Sequence, residues 1–110
     1  MRKKIIIILG EPNSISSEIF LKSLNYIKKT KLNFVIIGNY DLLKKQANYL
    51  NLKINININF NLTDINNLND KKFNFIDIQH NQRKPFDLRF IKSDIFIKKS
   101  FESALILIKK

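Results

Sequence analysis

Glu11 is the carboxylate whose position most invites chemistry. It follows an apolar run over residues 4–9 that ends in Gly10, and it precedes Pro12-Asn13-Ser14-Ile15-Ser16-Ser17-Glu18, where a helix can begin. A loop joining the C-terminal end of a buried strand to a helix N-terminus is where open α/β sheets bind ligands. Free backbone N–H groups there attract anions. A carboxylate in that place can act as a general base when a partner or a metal tunes it. The sequence supplies neither beside Glu11, so a solvated loop carboxylate is the simpler expectation.

The other reactive residue types are sparse. His80 is the one histidine. A single histidine cannot build a three-ligand metal site within one chain. Its neutral neighbours Gln79, Asn81 and Gln82 suggest a surface position. Asp77 and Asp87 could pair as acid and base, but their spacing specifies nothing, and surface positions are expected for both. Ser14, Ser16 and Ser17 have no nucleophile-elbow pattern and no histidine base nearby. With no cysteine, a thiolate nucleophile, a thiolate metal site and a disulfide framework are excluded. There is no P-loop and no Gly-x-Gly-x-x-Gly pattern. The residues therefore define no catalytic set and no metal set of the chain's own.

The elements that must carry these residues follow from periodicity. Residues 4–9 are β-branched and continuously apolar after Lys4, which suits a strand covered on both faces. Residues 11–17 form a loop. Ser16 or Ser17 can cap a helix to about Lys29, with Glu18 in its first turn. Phe20, Leu21, Leu24 and Ile27 make the apolar face of that helix, while Lys22, Asn25, Lys28 and Lys29 face water. Residues 33–37 are a second buried strand closed by Gly38. Asn39 or Asp41 can cap a second helix over residues 40–51, with Leu42, Leu43, Ala47 and Leu50 on its inner face. Strand-helix-strand-helix order implies a parallel sheet with right-handed crossovers.

The period then changes. Over residues 53–61, Ile54, Ile56, Ile58 and Phe60 alternate with asparagines, which predicts a strand with one wet face near the sheet edge. Residues 63–72 predict a loop, 73–78 a short strand and 80–86 another loop. Residues 93–110 predict a third helix, with Ser93 as cap, Asp94 in the first turn, and Ile97, Phe101, Ala104, Leu105 and Ile108 as its stripe. The phenylalanines fall on apolar faces and are expected in the core. The last helix stops without Gly, Asn or Pro punctuation. The expectation is a single incomplete α/β unit over residues 1–110.

The chain has 110 residues, 45% of them hydrophobic, and a formal net charge of +11. That charge invites a polyanion reading. Against it, the abundant types are Lys, Asn, Ile and Phe together, a set with AT-rich codons. The lysines are dispersed in pairs, and the arginines are only Arg2, Arg83 and Arg89. A solvated surface is expected, with no nucleic-acid partner, and the positive field would suit a phosphorylated small substrate. No apolar run approaches the roughly 18 residues of a membrane span. The opening Met1-Arg2-Lys3-Lys4 and its apolar run are too short for a signal peptide. No membrane association and a cytoplasmic location are expected.

The segment Gly10-Glu11-Pro12-Asn13-Ser14-Ile15-Ser16-Ser17-Glu18 resembles the first loop of the 4-hydroxythreonine-4-phosphate dehydrogenases. That family writes Gly-(Asp/Glu)-Pro-Ala-Gly-Ile-Gly-Pro-Glu after its first strand. Phe34-Val35-Ile36-Ile37-Gly38-Asn39-Tyr40-Asp41-Leu42-Leu43 resembles its second strand and following helix start. Ala47-Asn48-Tyr49-Leu50-Asn51-Leu52 is similar to the end of that helix. Ser100-Phe101-Glu102-Ser103-Ala104 stands where the family begins the helix before its first catalytic strand. The likeness spans nearly all of this chain but about the first third of the family's length.

The resemblance implies part of the two-domain fold of isocitrate and isopropylmalate dehydrogenases. It implies NAD-dependent oxidation of a phosphorylated amino acid in vitamin B6 biosynthesis, a divalent metal and a homodimer. The metal, phosphate and lysine contacts of the family lie beyond these residues, so the isolated chain is expected to be inactive. The residues it offers as a candidate active-site loop are Gly10, Glu11, Pro12, Asn13, Ile15 and Glu18. The family's inner glycines are here Ser14 and Ser16. Either the loop takes a different path or close contact with a ligand is relaxed. A non-catalytic remnant of a decayed or frame-shifted gene, and a small basic anion- or nucleic-acid-binding domain, are the alternatives.

The alternating Asn-Ile segment has high β-propensity and no proline, a combination that favours strand addition at an unprotected edge. The isolated chain should therefore show concentration-dependent association in sedimentation velocity. A monomer with a cooperative melt at all concentrations would refute this.

Overall fold

A computed structural model describes residues 4–52, 60–86 and 93–109, with only the backbone of Ser93 described. The elements are β1 (Lys4–Ile8), α1 (Ser16–Ile27), β2 (Asn33–Gly38), α2 (Tyr40–Tyr49), β3 (Asn61–Thr63), a 3-10 turn (Ile65–Asn67), β4 (Phe73–Asp77) and α3 (Ser93–Ile108). The four strands form one sheet in the order β1-β2-β4-β3. Every pairing is parallel, with Ile6 opposite Val35, Ile36 opposite Phe75, and Leu62 opposite Phe75 on the other side.

The strand side chains alternate between two cores. On one face Phe34, Ile36, Phe73 and Phe75 pack with Leu9, with Phe20, Leu21 and Leu24 of α1, and with Leu43 and Ala47 of α2. On the other, Val35, Ile37, Ile76 and Ile78 pack with Phe96 and Ala104 of α3. Successive crossovers that move the same way along a sheet place their helices on the same face. The path from β1 to β2 and then outward to β3 therefore puts α1 and α2 together. Phe60 joins strand to helix, its ring 5.5 Å from Phe75, 6.2 Å from Tyr40 and 6.5 Å from Phe20.

Several boundaries differ from the sequence reading. Neither Ser16 nor Ser17 caps α1: the helix starts at Ser16, Ile15 holds the N-cap position without a side-chain bond, and Ser17 is buried. For α2 the cap is Asn39, whose side chain accepts from the Leu42 N–H at 2.9 Å. The helix stops at Tyr49, before Leu50 and Asn51, and Asn51 then takes a positive φ of 55°. Of the alternating segment, residues 53–59 lie outside the described residues. The described edge strand is Asn61–Thr63, beginning where the alternation ends. There the Asn61 amide donates to Asn74 Oδ1 at 3.0 Å. Asn74 is fully buried, and its own amide donates to the Asn69 carbonyl at 3.0 Å.

The stripe expected on α3 is also corrected. Phe96, Ser100 and Ala104 face the sheet, whereas Phe101, Leu105 and Ile108 are exposed. Phe101 is thus a phenylalanine outside the core. The helix is apolar on more than one side, so spacing alone does not choose its inner face. Ser100 and Ala104 are small and one turn apart, which lets the helix axis approach the sheet closely. Ser100 can be fully buried because its hydroxyl donates to the Phe96 carbonyl at 2.8 Å. The expected cap Ser93 is instead the first helical residue, and its side chain lies outside the described residues.

Gly38 ends β2 where backbone and core meet. A Cβ there would stand 2.5 Å from Leu9 Cδ1, closer than packed carbons tolerate. Gly38→Ala should cost about 1–3 kcal/mol by overpacking, read from urea denaturation. In a Leu9→Ala background the penalty should fall by about 1 kcal/mol, because neighbouring sites couple. Additive effects of the two substitutions would refute the clash.

Candidate functional site

The loop after β1 opens on Gly10, whose φ of +75° lies in the left-handed region. An L-side chain there is strained, by roughly 1–2 kcal/mol. The following residues close a turn on themselves. Glu11 Oε2 accepts from the Asn13 N–H at 3.0 Å. The Glu11 carbonyl accepts from the Ser14 N–H at 3.2 Å and from the Ser14 hydroxyl at 2.8 Å. Ser14 Oγ in turn accepts from the Ser16 N–H at 3.1 Å. None of Asn13, Ser14 and Ser16 has a positive φ. The loop therefore reaches α1 on a path that needs glycine only at position 10.

Glu11 is half-buried and acts as the clasp of this turn, not as a solvated carboxylate. Pro12 is buried, and its carbonyl accepts from Gln46 Nε2 at 2.6 Å. Asn13 Oδ1 accepts from Gln82 Nε2 at 2.6 Å. Ile15 is 71% exposed. Glu18 turns outward to pair with Lys22 at 2.9 Å. Of the six loop residues singled out from sequence, Pro12 and Asn13 reach the neighbouring loop and helix, while Ile15 and Glu18 point away.

Their contacts lead to residues that sequence reasoning missed. Gln46 lies on α2 with 1% exposure. Its amide donates to the Pro12 carbonyl and, at 2.8 Å, to the Pro85 carbonyl, tying the loop after β1 to the loop after β4. Gln82 is buried between the two loops, donating to Asn13 Oδ1 and to the Lys84 carbonyl at 2.8 Å. The only sequence signal for Gln46 was a polar residue one turn from Leu42 and Leu43 on an otherwise apolar face.

His80 is half-buried, not the expected surface residue. Its ring lies 5.0 Å from the Phe96 ring, and Nε2 is 3.0 Å from Gln82 Oε1. Asp77 is exposed and accepts from the Tyr40 N–H at 2.9 Å. Asp87 lies outside the described residues. Asn39 Nδ2 donates to the Ile78 carbonyl at 2.8 Å, fastening the end of β2 to the end of β4.

Adjacent strands β2 and β4 lead onward to helices on opposite faces of the sheet. Such a reversal leaves a crevice at the C-terminal ends of the strands, the usual ligand position in open α/β sheets. A cleft of about 590 Å³ occupies it, lined by Asn39, Asp41, Leu42, Lys45, His80, Asn81, Gln82 and Arg83.

The fold is an open parallel α/β unit with a cleft at the strand C-termini. No protein-family model matches the chain, and no solved structure matches it. The chain is similar to a curated 4-hydroxythreonine-4-phosphate dehydrogenase of Sulfurihydrogenibium sp. (strain YO3AOP1), 40% identical over 53 residues. The match covers 48% of this chain and 16% of that relative. The matched stretch is thus well under two thirds of the relative's length.

The sequence resemblance implies NAD and a divalent metal, and the described residues do not by themselves make a site for either. No three of their His, Asp or Glu side chains come together as a metal site. The loop amides of Asn13, Ser14 and Ser16 donate within the loop, so they do not face outward as a pyrophosphate cradle. Among the described residues no helix is long and apolar enough to cross a membrane.

Gln46→Leu keeps the volume but leaves the Pro12 and Pro85 carbonyls without this donor. It should destabilise the fold by about 1–3 kcal/mol in urea and speed amide exchange in residues 10–15 and 80–86. An unchanged denaturation midpoint would show that the amide bridge is dispensable.

Proposed function

We propose that this chain supplies the opening α/β unit of an enzyme that oxidises 4-hydroxythreonine-4-phosphate with NAD, toward pyridoxine 5′-phosphate. The observation that carries the reading is the 40% identity over 53 residues to a dehydrogenase of that name. The parallel sheet, with Gly10 at the end of its first strand, supports it. The chain's own contribution is architectural. It provides the turn clasped by Glu11, the Gln46 bridge behind it, and the sheet edge at which a substrate can be held. The metal and NAD contacts belong to residues beyond those described, and a homodimer and a cytoplasmic location go with the reading.

One observation favours a second reading, a non-catalytic relative of such an enzyme. Within the turn over residues 11–16 the Asn13, Ser14 and Ser16 amides donate to the turn itself, so these three are not offered to a ligand.

Two measurements separate these. DNA downstream of the Lys110 codon, read in all three forward frames, should continue into a strand, further histidines and a glycine-rich phosphate site. A stop with no continuation in any frame would overturn the enzymatic reading in favour of the second. The 110-residue chain alone should form no NADH from 4-hydroxythreonine-4-phosphate. Chelator-sensitive absorbance at 340 nm from this chain would refute its inactivity.

A further inference from the structure

The cleft between α2 and the loop after β4 is lined by two cations, Lys45 and Arg83, that form no ion pair with a described carboxylate. Asp41 and Lys45 stand four residues apart on α2, a spacing at which acid and base ordinarily pair across one helical turn. Here they do not. The ion pair between described residues is Lys22–Glu18. Lys45 Nζ instead donates to the Gln82 carbonyl at 3.1 Å. That bond ties the ammonium to the loop that carries Arg83, the residue after Gln82, which also lines the cleft. The Arg83 guanidinium makes no hydrogen bond or ion pair with any described residue.

The backbone at the start of α2 is already engaged. The Leu42 N–H donates to Asn39 and the Tyr40 N–H to Asp77. An anion in the cleft would therefore be held by side chains, not by the helix end. Leu42 is the one aliphatic side chain in a lining that otherwise holds Asn39, Asp41, Lys45, His80, Asn81, Gln82 and Arg83. Small-molecule sites span about 300–1,000 Å³ and are mostly apolar. A cleft of about 590 Å³ lined by these charged and amide side chains suits a small ligand that carries a polar or anionic group.

We propose that this cleft is an oxyanion-binding subsite in which Lys45 and Arg83 hold a phosphoryl or carboxylate group of a small polar metabolite. Gln82 positions Lys45 through its carbonyl, and its side-chain amide fixes the loop to Asn13. Asp41 opposes the anion from the rim and limits affinity. The subsite belongs to this chain's own residues and stands whether or not the dehydrogenase reading does.

Inorganic phosphate and malonate, titrated separately into the 110-residue chain and followed by amide chemical shifts, test this and distinguish the two oxyanion sources. Saturable shifts should centre on residues 39–45 and 80–83. Lys45→Ala and Arg83→Ala should each weaken binding about fivefold, and Asp41→Asn should tighten it. Lys98→Ala/Lys99→Ala removes two exposed lysines from α3 and should leave binding unchanged. The proposal is overturned by non-saturable shifts, by shifts centred elsewhere, or by equal weakening in the α3 variant, which would trace attraction to net charge alone. It is equally overturned if Asp41→Asn weakens binding, the sign expected of a cation site. Lys45 and Arg83 are both exposed, and mapping in the unaltered chain stands independently of any variant.

Discussion

The constraint on which the rest of the structure depends is that β2 has no solvent face. All six residues of Asn33–Gly38 are buried, with a parallel neighbour on each side and helices above and below. A strand so enclosed must send its chain out at its C-terminal end, and the exit must be tight. Gly38 meets that need, because Leu9 packs where its side chain would be. Asn39 then turns the chain into α2 while bonding the end of β4. The crevice at the strand ends is a consequence of this packing. Its walls are the segments that leave β2 and β4 for opposite faces of the sheet.

The loop after β1 makes its turn with one glycine. A single left-handed residue at Gly10 reverses the chain, and side-chain oxygens do the rest. Glu11 and Ser14 take up the N–H groups that a ligand could otherwise receive. Local side-chain bonds of this kind compete with external partners for the same donors. Buried amides of Gln46 and Gln82 then join the closed turn to the loop after β4, so the two loops behave as one wall. Breaking such a buried bridge leaves carbonyls without partners, which costs more than the bond itself contributes.

A net charge of +11 acts at two ranges. Lysines dispersed over the surface give a general positive field that salt screens beyond about 10 Å. Within the cleft the effect is local, since one ammonium is held by a carbonyl and one guanidinium lines the same cleft. The proximity of charge to a concave, polar lining distinguishes these two cations from those on the helix faces.

Much of the fold was legible because burial imposes period. The continuous apolar runs before Gly10 and Gly38 mark strands covered on both sides, and Phe20, Leu21 and Leu24 mark the inner face of α1. The parallel order follows from the same local rules, which leave the cap of α2 between Asn39 and Asp41 until the structure chooses Asn39. The inner face of α3 was not legible, because its apolar residues surround the helix and only the fit of Ser100 and Ala104 against the sheet selects one side. The roles of Glu11, Gln46, Gln82 and His80 were not legible either. Sequence places the first loop at the end of a strand, where ligands bind. Only the tertiary structure brings residue 82 to residue 13 and gives Lys45 the Gln82 carbonyl as its partner. Those contacts join segments far apart in the chain, and no local periodicity encodes them.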